Sequence, residues 1–311
     1  MRDPALEVVL SAPRGFCAGV VRAVDIVDLC LERFGPPVYV RHEIVHNPHV
    51  VTELREKGAV FVEGIADVPH GETVVFSAHG VAPSVWDEAR ARGLNIIDAT
   101  CPLVTKVHLE ALRYARDGYT ILLVGHTGHD EVVGTMGEAP EQTTLVETPQ
   151  DAERVHVNDP SRVVSLTQTT LSVDDTMEIA RILKERFPAL VTRNDICYAT
   201  TNRQQALKAL TDEVDLVLVI GAENSSNCNR LREVAANAGL PAYLINGPDD
   251  INEAWLHRVK RVGITSGAST PERLVSAVVA ALAPLNVRAV TVAEESVTFS
   301  LPKDVQQPVS S

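Results

Sequence analysis

Three segments of this 311-residue chain follow one plan, and that repetition limits the fold more than any single motif does. They are SAPRGFCAGVVRAVDIV around Cys17, NIIDATCPLVTKVHLEALRYA around Cys101 and VTRNDICYATTNRQQALKAL around Cys197. Each has a short apolar lead, a turn holding one cysteine, and then a polar–apolar stretch with helical spacing. The cysteines stand 84 and 96 residues apart, at positions 17, 101 and 197, about one small α/β unit each. The segments that follow keep the same order. A strand and loop come first (VYVRHEIVHNPHV, TILLVGHTGHDEVVGTMG, LVLVIGAENSSNCNRLREVA). A short apolar stretch with an acidic or amide turn follows (VFVEGIAD, TLVETPQD, YLINGPDD), and a strand-loop-helix closes each third (VVFSAHGVAPSVWDEARARG, VVSLTQTTLSVDDTMEIARIL, VGITSGASTPERLVSAVVAAL).

The apolar runs VVFSA, TILLVG, LVLVIG and RVGIT are short, continuous and β-branched, which is the pattern of buried parallel strands. The expected fold class is α/β: three small parallel-sheet α/β domains in a pseudo-threefold arrangement. The expected spans are 12–92 with Cys17, 93–190 with Cys101, 191–284 with Cys197, and a C-terminal tail over 285–311. In the tail, VRAVTV and SVTFSLP read as strands and PKDVQQPVSS as a mobile end. Ligands of open α/β sheets bind at the carboxyl ends of the strands. Domains facing a common centre would bring the polar loops and the three cysteines there together.

Composition narrows the function. Hydrophobic residues make up 45% of the chain, so it folds, and its net charge of −13 argues against a nucleic-acid-binding surface. The N-terminal stretch lacks a basic segment followed by an apolar core, and no apolar run approaches the roughly 20 residues of a spanning helix. The expectation is a soluble, cytoplasmic protein. Five dispersed cysteines without a CxxC argue against a disulfide framework or a zinc ribbon. A single free cysteine reads as a small core residue; three in equivalent turns read as a set. Three thiolates on rigid turns suit a [4Fe–4S] cluster held through three of its irons, with the fourth open to substrate. Cys30 falls on a helix-like apolar face as core, and Cys228 lies beside polar loop residues with no role.

The loops after the strands are rich in neutral hydrogen bonders. They hold His42, His46, His79, His126 and His129, with Thr169, Thr170, Ser225, Ser226, Asn227 and Ser269. Such donors at helix N-termini suit phosphate oxygens, although each Ser, Thr or Asn alone also reads as a helix cap. No Walker motif or GxGxxG fingerprint is present. Glu131, in GHTGHDEVVG, is the acid best placed to deliver protons, whereas Asp130 reads as a solvated helix-start acid.

Together GFCAGV, VHNPHVV, SAHGV, DATCPLV, GHTGHDEVVGTMG, TQTTLS, ICYATTNRQ, NSSNCNR and SGASTP resemble the 4-hydroxy-3-methylbut-2-enyl diphosphate reductase (IspH/LytB) family, from about Ala12 to Pro271. The resemblance implies three α/β domains around a central iron–sulfur cluster. It also implies reductive dehydroxylation of an allylic diphosphate to isopentenyl and dimethylallyl diphosphates, the last step of the non-mevalonate isoprenoid pathway. Cys17, Cys101 and Cys197 would ligate one [4Fe–4S] cluster per chain. His46, His79 and His129 would line the diphosphate pocket with Ser225, Ser226, Asn227 and Ser269, while Glu131 would supply protons through the hydroxyl of Thr169. Partners would be the diphosphate substrate and an electron donor such as ferredoxin or flavodoxin, with no nucleic acid and no membrane. The residues alone leave other readings open: an iron–sulfur hydro-lyase, an iron–sulfur sensor, or an α/β binding protein whose cysteines are core.

Overall fold

The computed structural model describes residues 6–306. In chain order its strands are β1 (Glu7–Ala12), β2 (Val38–Arg41), β3 (Ala59–Val62), β4 (Thr73–Phe76), β5 (Asn95–Asp98), β6 (Thr120–Val124), β7 (Thr143–Val146), β8 (Val163–Thr167), β9 (Val191–Thr192), β10 (Leu216–Ile220), β11 (Ala242–Ile245), β12 (Arg261–Ser266) and β13 (Asn286–Thr291). The α-helices are α1 (Ala18–Phe34), α2 (Pro48–Glu56), α3 (Pro83–Ala91), α4 (Pro102–Arg116), α5 (Asp130–Glu138), α6 (Pro149–Arg154), α7 (Val173–Arg186), α8 (Tyr198–Leu210), α9 (Ser226–Asn237), α10 (Glu272–Leu282) and α11 (Lys303–Gln306). They form three all-parallel sheets, in the orders β3-β2-β4-β5, β7-β6-β8-β9 and β11-β10-β12-β1-β13. The α/β reading with parallel sheets therefore holds.

The same four-strand order recurs three times. In each sheet the second strand lies outside the first, and the third and fourth extend the other way. The chain thus reverses its winding between β2 and β4, between β6 and β8, and between β10 and β12. Such reversals open a crevice at the carboxyl ends of the two strands. Each fourth strand leads into a cysteine turn: β5 into Cys101, β9 into Cys197 and β1 into Cys17. The cysteine therefore follows the fourth strand of a repeat, and β1 completes the sheet begun by β10 far along the chain.

The chain divides into two compact units. One holds the residues up to Cys17, His46–Pro48 and Cys197–Val297; the other holds Ala18–Val45, His49–Ile196 and the residues from Thr298 on. In the first, β10 (LVLVI) is buried along its whole length. Leu218 and Ile220 face a core with Val8, Ile264 and Val275, and Val217 and Val219 face another with Val9, Leu207 and Leu231. Apolar cover on both faces is why the strand reads as a continuous apolar run rather than an alternation. The second unit repeats this around β6: Leu122 and Val124 pack on one side with Leu183, and Ile121 and Leu123 on the other with Val107 and Val132. Around β4, Phe76 is buried and meets Trp86 edge-on at 4.9 Å.

The tail keeps one expected strand and otherwise departs from expectation. VRAVTV lies largely in β13, which pairs along the whole of β1, so this part of the tail is the edge of the third sheet. SVTFSLP has no strand, because residues 296–302 find no ladder partner. Lys303–Gln306 form α11, whose Asp304 carbonyl accepts from Arg33 Nη1 at 2.7 Å; residues 307–311 of PKDVQQPVSS lie outside the described residues. Among the described residues no helix is long and apolar enough to cross a membrane.

A buried guanidinium organises the first unit. Arg203 lies on the apolar stripe of α8, between Ala199 and Leu207, and is 0% exposed. Its Nε and Nη2 donate to the Gly15 carbonyl at 3.2 and 2.7 Å, and its Nη1 donates to the Ala199 carbonyl at 2.9 Å. Nη1 and Nη2 also reach the Glu295 carboxylate at 3.0 and 3.3 Å. Gly15 adopts φ +71° and donates its N–H to Ser266 Oγ at 2.9 Å, a backbone conformation that favours glycine. One side chain thereby ties together a residue two before Cys17, a residue two after Cys197, and the segment beyond β13. Removing the anion strands a buried cation, the costly way to break such a pair. Glu295→Ala is expected to lower the unfolding free energy by about 3 kcal/mol in urea titration, while Glu294→Ala at the exposed neighbour shifts it by less than about 0.5 kcal/mol.

Candidate active site

The candidate residues sit at the strand ends described above. In the second unit, His79 follows β4, His129 and Glu131 follow β6, and Thr169 follows β8. In the first, His46 lies in the loop before α2, Ser225, Ser226 and Asn227 follow β10, and Ser269 follows β12.

Glu131 begins α5 and is only 5% exposed. Its carboxylate accepts the Thr169 N–H at 2.8 Å, and both its oxygens lie 2.9 Å from the Thr169 hydroxyl. The pair joins the two sides of the β6/β8 crevice. His129 caps α5, with its Nδ1 accepting the Glu131 N–H at 3.2 Å. In its neutral form His129 therefore carries its proton on Nε2, which points a donor away from the helix. The His79 ring meets the His129 ring edge-on at 5.9 Å, and the Ser77 hydroxyl lies 3.4 Å from His79 Nδ1.

Asp130 departs from the expectation of a solvated acid. Its Oδ1 lies 2.9 Å from His42 Nδ1, and its Oδ2 lies 3.9 Å from His79 Nδ1. His42, held at φ +55°, is brought there by the loop after β2. The hydrogen bond to Asp130 raises the His42 pKa above its ordinary value, outweighing the opposing effect of burial. Gln168 is buried, donating to Thr170 Oγ1 at 2.8 Å and accepting the His126 N–H at 3.1 Å, so it braces the same loops.

His108 is a buried polar residue beside these loops that sequence reading missed. It lies on the inner face of α4, with Nδ1 2.9 Å from Glu138 Oε1. Side-chain carbons added at Gly80 or Gly134 would come within 3.1 Å of the His108 ring. Glycine in SAHG and in DEVVG therefore lets one imidazole lie against both the His79 loop and the Glu131 helix. The available signal was a polar residue inside the apolar stripe Val104, Val107, Ala111.

In the first unit, Cys197 caps α8. Its Sγ accepts the Thr200 N–H at 3.4 Å and lies 3.2 Å from the Thr200 hydroxyl. Asn227 donates to Thr200 Oγ1 at 3.3 Å and accepts the Ala268 N–H at 3.0 Å, while the Ala268 carbonyl accepts the Cys17 N–H at 3.1 Å. Asn227 is thus a strut between the two cysteine loops of this unit. Ser225 caps α9 by accepting the Cys228 N–H at 3.4 Å, Ser226 opens that helix, and Ser269 Oγ donates to the His46 carbonyl at 2.9 Å.

Cys101 caps α4 and Cys17 immediately precedes α1, so each thiol of the repeated set stands at the positive end of a helix. All three are partly exposed, while Cys30 and Cys228 are buried. Burial pushes the Cys30 thiol up to about 12 and the Cys228 thiol up to about 11.

Because the folded pKa of His42 is raised, the stability from its pair with Asp130 is complete below the unfolded value near 6.5 and is lost as pH rises through the folded one. The gap in urea midpoint between the unaltered protein and Asp130→Asn is expected to be widest near pH 5 and to narrow steadily toward pH 9.

Comparison with known proteins agrees with this arrangement along almost the whole chain. The LytB protein family model matches residues 8–283. The 4-hydroxy-3-methylbut-2-enyl diphosphate reductase of Streptomyces avermitilis is 58% identical over 307 residues, 97% of this chain and 91% of that protein. The enzyme of the same name from Nocardia farcinica is 56% identical, covering 98% and 92%. The solved E-1-hydroxy-2-methyl-but-2-enyl-4-diphosphate reductase of Plasmodium falciparum superposes with a TM-score of 0.94 at 40% identity, covering 97% of each chain. With a matching family model, relatives above half identity and a shared fold, the chain belongs to the LytB family.

Proposed function

We propose that this chain is a cytoplasmic 4-hydroxy-3-methylbut-2-enyl diphosphate reductase that carries out the terminal step of the non-mevalonate pathway with a [4Fe–4S] cluster. The observation that carries the reading is the thiol set: one partly exposed cysteine at a helix N-terminus after the fourth strand of each of three like sheets. The donor chemistry fits a cluster with three protein ligands. Thiolates are the ligands such clusters require, and helix N-termini favour the thiolate. Cys17, Cys101 and Cys197 are assigned to it; Cys30 and Cys228, held as thiols by burial, are not. When bound, the cluster supplies electrons and a Lewis-acidic iron with an open position.

The reaction consumes two electrons and two protons: the allylic C–O bond breaks, a C–H bond forms and water leaves. The chain supplies the protons. Glu131 stores one on its carboxyl, away from bulk water, and the Thr169 hydroxyl at 2.9 Å hands it on by accepting from Glu131 and donating outward. A protonated hydroxyl departs as water rather than as hydroxide, which lowers the barrier to breaking the bond. The diphosphate is assigned to neutral donors: His46, His79 and His129, Ser225 and Ser226 at the start of α9, Asn227 and Ser269. Helix N-terminal N–H groups and hydroxyls bind phosphate oxygens without a full positive charge. The electrons come from a donor such as ferredoxin or flavodoxin.

The test is anaerobic. Purified protein should carry about four irons and four sulfides per chain, and should form five-carbon diphosphates from 4-hydroxy-3-methylbut-2-enyl diphosphate with dithionite and a viologen. Cys17→Ser, Cys101→Ser and Cys197→Ser should each abolish turnover and lower bound iron, and Cys30→Ser should leave both intact. Full iron in Cys101→Ser would remove the ligand assignment, and conversion without any reductant would favour a hydro-lyase.

A further inference from the structure

The second unit carries a basic, partly apolar groove whose wall includes both neighbours of Cys101. Its volume is about 480 Å³; Thr100, Pro102 and Leu109 line it together with three cations, Arg22, Lys106 and Arg113, and two acids. Along α4, Lys106, Leu109, Arg113 and Arg116 follow at spacings of three, four and three, which is one helical face. Leu109 is 61% exposed and Leu112 beside it 43%. The charge of this face runs against that of the chain. The whole sequence has 41 acidic and 28 basic residues, whereas α4 has Lys106, Arg113 and Arg116 against one acid, Glu110.

Two acids, Asp98 and Glu110, share the groove wall, and at the end of α4 the half-exposed Asp117 lies 3.7 Å from Arg116 Nε. Glu110 is buried against Arg193, Asp195 is buried against Lys106, and Asp98 accepts from the Thr100 N–H and hydroxyl at 2.9 and 2.5 Å. Arg113 lies over the Tyr114 ring at 4.6 Å and has no ion-pair partner among the described residues. Arg22 donates to the Thr100 carbonyl at 2.9 Å, fixing the peptide just before Cys101. Two exposed leucines beside Arg113, with Lys106 and Arg116 each paired to an acid yet half or more exposed, are what an acidic partner surface with an apolar centre would meet.

We propose that this groove is the docking site for a small acidic protein that carries single electrons, which enter the site past Cys101. The inference rests on the reductase reading, since a reductase must take electrons from outside, and this chain has no GxGxxG fingerprint for a bound nicotinamide. Charge complementarity selects the partner, and the groove wall is bonded directly to Cys101 through Thr100 and Pro102. The balance is two carriers, each oxidised by one electron, for each C–O bond reduced, with two protons taken up and one water released.

The test compares two reductants on the holoenzyme. Arg113→Glu/Arg116→Glu is assayed with a reduced acidic ferredoxin and, separately, with dithionite and methyl viologen. The expected result is a KM for ferredoxin raised about tenfold or more at low salt, a weaker salt dependence, and unchanged turnover with the small reductants. Arg181→Glu, a reversal at an exposed pair on α7, should leave the ferredoxin KM unchanged. An unchanged ferredoxin KM in the α4 variant, or an equal rise in Arg181→Glu, overturns the docking site. So does a change in mass by light scattering with donor kinetics intact, which would make the face a contact between copies. A parallel fall with both reductants overturns it too, because the damage would then be structural. Failure of the unaltered enzyme with dithionite would instead sink the reductase reading.

Discussion

A parallel sheet covered on both faces has only its strand ends for polar chemistry, and the rest of this structure depends on that constraint. The residues of β6, β8 and β10 are almost wholly buried, so their loops alone can carry the candidate site residues. Strand order then selects which loops matter. With the second strand outside the first, connections leave the first and third strands in opposite directions and open a crevice between them. Glu131 and Thr169 stand on the two sides of one such crevice, Ser225 and Ser269 beside another. The fourth strand, one place further out, delivers the cysteine.

The five cysteines show how one residue type is divided between two environments. Cys228 is wholly buried between Gly221 and Gly267, where an added Cβ would come within 2.2 Å of its sulfur. Two glycines make room for a packed thiol, and desolvation keeps it protonated. Cys197 instead meets a helix N-terminus and the Thr200 N–H. Between Cys228 and Cys197 the difference is one of solvation and backbone environment.

Much of this was legible because it was repeated. Three cysteine turns and three sets of β-branched runs carried the α/β reading, and the polar loops named the residues at the strand ends. The interactions that lock those loops were less visible, since each depends on residues distant in sequence. Arg203 meets Gly15 and Glu295 across 188 and 92 positions, and nothing local marks Glu295 as its partner. β1 pairs with β12 and β13, so a division into contiguous thirds could not assign it. Asp130 was misread because a helix-start acid is ordinarily solvated; the incoming His42 changes its surroundings. Arg203 and His108 had a local trace, a polar residue on an apolar helical stripe, but such a trace does not name its partners.

The buried ion pair of Arg203 raises the question of why a chain keeps an arrangement that a well-packed apolar cluster would match in stability. Directionality answers it. An apolar side chain would fill the space between the Gly15 and Cys197 turns without fixing their separation, because dispersion contacts tolerate sliding. A guanidinium has a planar fork of donors, and here two of its nitrogens share the Gly15 carbonyl while a third holds the Ala199 carbonyl. Moving either turn by about an ångström leaves a buried donor unmet at a cost of about 1–3 kcal/mol. Under the proposed cluster assignment the Cys17 and Cys197 turns gain from such a penalty, since a rigid inorganic group tolerates little variation in the spacing of its thiolates. Glu295 neutralises the charge and brings the segment after β13 into the same arrangement, so the strand that closes the sheet edge also holds the loop of Cys17.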